Sequence, residues 1–501
     1  MTKDLKRFPD GLLAVVKRDC PTCTLIEPVL QQLGAGAAPF TVFSQDDASF
    51  PAGAGKVVDD TGLENSYHLD IDIVPTLIQI RDGREVARAV GWHRGEWETV
   101  SGMRGLGAGL PETRPGCGSK TQDPGMPSQL AVRYGGVKFQ ARGIAVPAWA
   151  DPIEYCYERG WSDGLPVVPP TRERVLEMLG GSKRGAAEIL GAIPTDLAEC
   201  TVEKAAISAV MSGCKPEYFP VVLAAIEAAL VPEYGLHGII CTTNFVGPVL
   251  MVNGPIARAI GMNCKVNALG QGNRANATIG RALQLLIRNF GGGRPGEVDR
   301  AVLGNPGKYS FCFAEDEDDP WDSLAVERGF PATASTVTLF CGEGVTPVMD
   351  EISRTPESLA RSFASVLRVI HHPKHTYTVS AVLVVTPEHA AVFHRAGWSK
   401  QRLKQELQAL LQIPVRELLR GYGGMEPGIS PDRIGARSGT VPTYPGMPVK
   451  LSATLNLDDT IPKYPNGVEI VRAGGGAGKF SGIISGLGSI TIQSVTREIA
   501  S

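Results

Sequence analysis

Along the first hundred residues the apolar and polar positions switch between two periods. "LLAVVK", residues 12 to 17, is a continuous apolar run that ends in a charge, and "PTCTLIEPVLQQLG" follows with apolar residues at near-helical spacing until Gly34 stops it. A strand followed by a helix is predicted. "FTVFSQ" at 40 to 45 reads as a second strand and "GLENSYHL" at 62 to 69 as a short helix. "TLIQIRDGREVARAVGW" reads as a hairpin turning at Asp82-Gly83, with a closing helix from about Arg94. From Ser101 to about Gln140 the periodicity gives way to Gly and Pro, as in "GLGAGLPETRPGCGSKTQDPGMPSQ". Such a stretch buries little apolar surface and predicts a linker.

Beyond it the pattern resumes on a larger scale. "CTVEKAAISAVMSG" and "PEYFPVVLAAIEAAL" are apolar almost all round and predict a pair of buried helices. "GIICTTNFVGPVLMVNG" supplies two strand-like runs separated by a loop, and "NALGQGNRANATIGRALQLLIRNFGGG" a glycine-rich loop entering a long helix that ends at three glycines. "YTVSAVLVVTPEHAAVFHRAGW" predicts a strand running into a helix, with Thr386 as N-cap and Pro387 at the first helical position. The expected class is α/β: a small domain over 1–104, a linker over 105–144, and a larger mixed-sheet α/β domain over 145–501. The 501 residues exceed what one hydrophobic core organises, which supports more than one domain.

Composition narrows the partners. A net charge of −3 and a pI near 6.3 create no global basic field, so nucleic acid is not expected; a small molecule or a protein is. No stretch has the apolar core of a signal peptide or the length of a membrane span, so a soluble cytoplasmic protein without a membrane partner is expected. Oligomeric state stays open. The ten cysteines are scattered, unlike the dense pattern of a disulfide-stapled secreted scaffold, and are expected to be reduced thiols.

Only Cys20 and Cys23 lie close together in the chain. Cys20 falls at the start of the first predicted helix, where unpaired N–H groups favour a thiolate, and Pro21 suits the first turn because its missing N–H would have had no partner there. A zinc site needs four ligands and this pair supplies two; two merely structural cysteines are the other competing reading, and a redox dithiol is favoured over both. The order strand, "CPTC" at a helix start, strand, helix, "IVPT" and the hairpin "DGREVARAVGW" resembles the thioredoxin fold over residues 1 to about 104. The resemblance implies that Cys20 is the attacking thiolate, Cys23 the resolving thiol, and Pro75 a cis proline facing the dithiol. Pro-Thr stands between the cysteines in place of the Gly-Pro of thioredoxin itself, and those two residues influence redox poise.

At "DGLPVVPPT", "CTVEKAAISAVMSGCKPEY", "VNGPIARAIGMN", "NALGQGNRANATIGRA", "LGNPGKYSFCFAEDE", "PWDSLAVERGF" and "AGGGAGKFSGII" the chain resembles a little-characterised bacterial family. Members of that family are often encoded near small redox proteins with a UGSC or CGSC motif. The resemblance spans about residues 145 to 500 and implies a redox association without a substrate. The linker carries "CGSK", which lacks the second cysteine of CGSC.

Familiar catalytic motifs fail in the large domain. In "AGGGAGKFSG" Gly474 and Gly478 are separated by three residues where a phosphate loop needs four, and Phe480 replaces its Ser or Thr; a tightly packed turn is expected. The histidines of "HHPKH" are expected in a surface loop without metal. His389 is open between a site residue and a solvated helix start. The best anion-site candidate is "GQGNRANAT": Gly270 and Gly272 let backbone N–H groups approach a ligand, Arg274 offers a fork of donors, and Asn276 lies in the following helix turn. Lys308, Tyr309, Cys312 and Glu315 bring a cation, a phenol, a thiol and an acid within eight residues. A strand there places Lys308 on the face of Cys312, where it would lower the thiol pKa. Cys117, flanked by glycines, is either a mobile shuttle thiol or an incidental linker cysteine.

The leading expectation is a thiol-disulfide oxidoreductase-linked enzyme. In it the dithiol exchanges electrons with a site in the large domain that acts on a small organic, anionic or sulfur-containing substrate, with Cys312 or Cys117 carrying the exchange onward. The alternatives are a thiol-dependent lyase whose active cysteine the dithiol restores, and a non-catalytic carrier of a metal or small molecule with a redox latch. No cofactor beyond the dithiol is expected, and a thiol reductase or other redox protein is the expected macromolecular partner.

Overall fold

The computed structural model describes residues 5–376, 379–435, 439–444, 447–451, 454–488 and 492–500. It is an α/β protein whose chain divides into two compact units, 1–138 with 172–176, and 139–171 with 177–501.

The first unit is built on β1 (Gly11–Val16), β2 (Phe40–Ser44), β3 (Lys56–Asp59), β4 (Ile73–Val74), β5 (Thr76–Arg81), β6 (Arg84–Val90), β7 (Trp92–His93), β8 (Thr113–Arg114) and β9 (Cys117–Gly118). Its helices are α1 (Pro21–Leu25), α2 (Glu27–Gly34), α3 (Glu64–His68), α4 (Arg94–Ser101) and α5 (Met126–Tyr134). Five strands form one sheet in the order β3-β2-β1-β5-β6, with β1 parallel to β2, β2 parallel to β3, and β5 antiparallel to both β1 and β6. The unbroken apolar run of β1 is buried from Leu12 to Val16 because the strand is central and covered on both faces. The hairpin turns where expected: Asp82 and Gly83 take φ of 52° and 67°, the left-handed pair that matches strand twist in a two-residue loop. Strand β3 was not expected, since "KVVD" is four residues of a half-exposed edge. The expected single helix over 21–34 breaks at Ile26, with Pro28 in the first turn of α2, where it can donate no backbone hydrogen bond.

The expected linker over 105–144 is corrected. Residues 105–138 belong to the first unit, with β8 paired to β7 and β9 to β4. Gln45 Nε2 donates to Ser119 Oγ at 2.7 Å, the Ser119 N–H to Asp72 O at 2.8 Å, and Thr121 Oγ1 to Ile71 O. Polar bonds from Gln45, Ser119 and Thr121, with only Leu106 and Leu130 as fully buried apolar anchors, tie this segment down. Apolar periodicity therefore carries no sign of it.

The large unit centres on a seven-stranded mixed sheet. Its main path runs Cys312–Ala314, Gly247–Asn253, Thr336–Met349, Phe480–Leu487, Val379–Val385, Glu469–Arg472, and Val495–Glu498 also pairs with Thr336–Met349. The two end pairs are parallel and the inner pairs antiparallel. Alternate residues of the 379–385 strand enter different cores: Ala381, Leu383 and Val385 pack with Phe363, Phe393 and Leu403, whereas Val382 and Val384 pack with Val249, Phe313 and Ile484. That is the period of two expected of a strand with both faces covered. The two apolar helices form as expected over Val202–Ser212 and Phe219–Leu230. The long helix Arg274–Phe290 ends at Gly291. One expectation is corrected: "GIIC" lies in a helix, Leu236–Cys241, and only the second run, Gly247–Asn253, is a strand, since a short apolar run does not tell the two apart. Tyr377 and Thr378, at the start of the expected strand before Pro387, lie outside the described residues. Among the described residues no single helix is long and apolar enough to cross a membrane; one bent pair, Pro216–Leu230 with Pro232–Cys241, meets that test by length and composition.

Candidate active site

Cys20 occupies the N-cap of α1 in an extended conformation (φ −144°, ψ 112°), and its sulfur accepts the Cys23 N–H at 3.3 Å. With Pro21 as the first helical residue and one turn of helix between the two cysteines, the CxxC spacing sets both sulfurs on the same side of α1. The Cys23 thiol hydrogen-bonds to Cys20, and this bond is the largest influence drawing the Cys20 pKa down to about 5. Burial opposes it, and a second bond from the Cys117 thiol and the N–H groups of Cys23 and Thr22 add to it. Cys23 moves the other way: burial, and then its bond to Cys20, hold its proton far above the usual thiol range. One negative charge thus rests on Cys20 at neutral pH, with two thiols turned towards it.

The Val74–Pro75 peptide is cis. The Val74 carbonyl oxygen lies 3.6 Å from Cys20 Sγ, and the Pro75 carbonyl accepts the Gly91 N–H at 2.8 Å. Cys117 is neither mobile nor in a linker, which corrects the shuttle expectation as it was framed. It lies in β9, opposite Val74 of β4, with its thiol against Cys20. Burial, followed by this bond to the Cys20 thiolate, raises its pKa. Thr22 Oγ1 donates to Pro115 O at 2.7 Å. At Gly116 an added Cβ would sit 2.4 Å from Ile73 Cγ2 and 2.6 Å from Val74 O, so only glycine lets the segment lie this close to β4.

The large-unit candidates are not one constellation. Lys308 forms an ion pair with Asp299 and does not act on Cys312. It sits in the 306–308 turn, ahead of the strand on which it was expected. Cys312 is 6 % exposed, beside Gly280 of the long helix, and burial pushes its pKa up, opposite to the expectation. Glu315 is buried and fully engaged. It accepts from Asn253 Nδ2 at 2.8 Å, from the Leu324 N–H at 2.7 Å and from Lys400 Nζ at 3.2 Å, which makes it a structural anchor and not an acid facing a substrate. Tyr309 is exposed.

In the anion loop, Asn276 is spent on the loop itself. Its Oδ1 accepts the Asn263 N–H, and its Nδ2 donates to Asn263 O and Ala268 O. Arg274 Nε donates to Gly213 O at 2.9 Å, and an added Cβ at Gly270 would strike Asn267, whereas Gly272 faces open space. His389 is buried, within hydrogen-bond distance of Ser481 Oγ and Asp350 O. "HHPKH" is also no surface loop throughout, since Lys374 and His375 are buried. No cluster of metal-ligating side chains occurs among the described residues.

Sequence reasoning missed a cavity of about 480 Å³ in the large unit, lined by Leu236, Ile240, Gln284, Arg288, Asn305 and both Lys308 and Tyr309, among others. Among the described residues Gln284 Nε2, Arg288 Nε and Asn305 Oδ1 are buried there without a hydrogen-bond partner. The chain matches no protein-family model and no curated protein. The site therefore stands on its own geometry. The CxxC at a helix start was legible from spacing; the only local sign of the third thiol was a cysteine between two glycines, which points equally to a flexible loop.

Proposed function

We propose that the first unit is a thiol-disulfide oxidoreductase: Cys20 attacks a disulfide as a thiolate, and Cys23 resolves the mixed disulfide to give a Cys20–Cys23 bond. The observation that carries this reading is the stabilised Cys20 sulfur, held by the Cys23 N–H and by two neighbouring thiols. A thiolate is the species that exchanges with disulfides, and a low pKa also makes Cys20 the better leaving group when the bond is reduced again. The similarity to thioredoxin in the strand, CPTC, Pro75 and hairpin order supports the same roles. All ten cysteines are free thiols, which fits action in a reducing compartment such as the cytoplasm, with a thiol reductase as the renewing partner. The test is reduction of a model protein disulfide such as insulin by the full chain with a dithiol reductant. Turnover that vanishes in Cys20→Ser is expected, and turnover equal to the reductant alone overturns the reading.

A second reading applies to the large unit. The cavity combines apolar walls, the unpaired donors of Gln284 and Arg288, and the Asn305 acceptor. Lys308 is neutralised by Asp299, and Arg281 by Asp163, so Arg288 leaves the lining cationic. This suits a small apolar carboxylate. Calorimetry with benzoate as the probe tests it: binding that Arg288→Gln weakens roughly tenfold or more is expected for a lost charged hydrogen bond, and no heat with the unaltered chain discards it.

A further inference from the structure

The exchange reading leaves one difficulty, because Cys20 is 1 % exposed and Cys23 is fully buried. A disulfide arriving from solution must place three sulfurs nearly in line, and neither of these sulfurs offers that approach. The chain's own 113–118 segment lies beside them. It is fastened by the paired backbones of Ile73 with Gly118 and Val74 with Cys117, by the Thr22 to Pro115 bond, and by a glycine at 116 with no room for a side chain. Of the three clustered cysteines Cys20 and Cys23 are buried, and Cys117 is half-buried.

We propose that Cys117 is a third catalytic thiol, the one through which external disulfides exchange with the Cys20–Cys23 pair. This rests on the exchange reading above and adds the route. Cys117 loses its proton to water and attacks R–S–S–R′, forming Cys117–S–S–R and releasing R′–S⁻. The Cys20 thiolate, already in contact with Cys117, attacks Cys117 Sγ, forming a Cys20–Cys117 disulfide and releasing R–S⁻. Cys23 gives its proton to a released thiolate and attacks Cys20 Sγ. The Cys20–Cys23 disulfide forms, and Cys117 leaves as a thiolate that water reprotonates. In sum one substrate disulfide gains two electrons, two protein thiols lose them, and the two product thiols take one proton from Cys23 and one from water. The unequal acidities bear on two points of this cycle: the more basic Cys117 is the stronger nucleophile once ionised, and Cys20, the weaker base, is the better leaving group when the Cys20–Cys23 disulfide is later reduced.

The test uses the full chain with glutathione disulfide as the probe and mass mapping of the products. With Cys23→Ser, whose Cys117 is intact, the expected product is a Cys20–Cys117 disulfide. A stable glutathione adduct on Cys20 with Cys117 still free overturns the proposal. With Cys117→Ser, formation of the Cys20–Cys23 bond is expected to slow about tenfold or more, because the remaining sulfurs are shielded, and adding Gly116→Val, which lifts the segment off Val74, is expected to restore the rate. An unchanged rate in Cys117→Ser again overturns it. If the unaltered chain forms no Cys20–Cys23 disulfide at all, the exchange reading itself fails, a result distinct from either outcome for Cys117.

Discussion

Cys20 and Cys312 are the same residue type, both nearly inaccessible, and opposite in chemistry. Around Cys20 donors outnumber the one acceptor, the Val74 carbonyl oxygen at 3.6 Å: they are the Cys23 N–H and thiol, the Thr22 N–H and the Cys117 thiol. Around Cys312 burial and the neighbouring Cys214 outweigh the one backbone bond from Gly280, and Lys308 is spent on Asp299. The large unit repeats that second pattern, with burial raising the pKa of Cys156, Cys200, Cys214, Cys264, Cys312 and Cys341. Burial alone makes a thiol inert, and burial among donors makes it a thiolate. The relay from the dithiol onto Cys312 that the sequence suggested is therefore not supported by the surroundings of Cys312.

The comparison breaks most sharply at the two extremes. Cys20→Ser is expected to lower disulfide reduction by at least about 10³-fold, since a hydroxyl is not ionised at neutral pH and the resolving step loses its sulfur; insulin turnover reads it directly. Cys312→Ser, by contrast, is expected to leave turnover unchanged and to cost about 1 to 3 kcal/mol of stability for a hydroxyl placed in an apolar core, read by denaturant unfolding. Equal losses of turnover in the two variants would erase the distinction.

A buried charge kept for structure gives a second contrast. Glu315 and Lys400 are 4 % and 3 % exposed and hydrogen-bonded to each other. Glu315→Ala leaves Lys400 its second partner, Glu327 at 3.3 Å, but deprives Asn253 Nδ2 and the Leu324 N–H of an acceptor, and is expected to cost about 1 to 3 kcal/mol without altering insulin turnover. Loss of turnover at equal stability would instead return Glu315 to a chemical role.

The smallest effect is the most specific. The reactive form of a thiol is its thiolate, and Cys20 has a pKa lowered to about 5. Its thiolate ultraviolet absorbance, which needs no access to the sulfur and is taken as the difference between the unaltered chain and Cys20→Ser, should thus stay on a plateau from neutral pH downward and halve only near pH 5, whereas the unfolded chain halves near about pH 8.5. The sign for stability agrees: the contribution of the bonded thiolate is complete above the unfolded thiol pKa and is lost as the pH falls through about 5. A folded-state midpoint near that of the unfolded chain would place Cys20 with Cys312.

Much of the first unit was legible because its signals are local. Leu12–Val16 is apolar without interruption, Asp82-Gly83 suits one kind of turn, and two cysteines three residues apart must share a helix face. The same logic found the helix at 274–290 and misassigned "GIIC" and the 21–34 helix break, where short runs and single residues decide. What the sequence by itself determined is most of the long strands and helices and that two neighbouring cysteines sit at a helix start. Tertiary structure alone decided that Cys117 lies against Cys20, that Lys308 is claimed by Asp299, and that Glu315 is anchored by Asn253, Leu324 and Lys400. Those contacts join residues distant in the chain through single polar bonds, and a single polar bond, unlike a buried apolar face, leaves no period in the sequence.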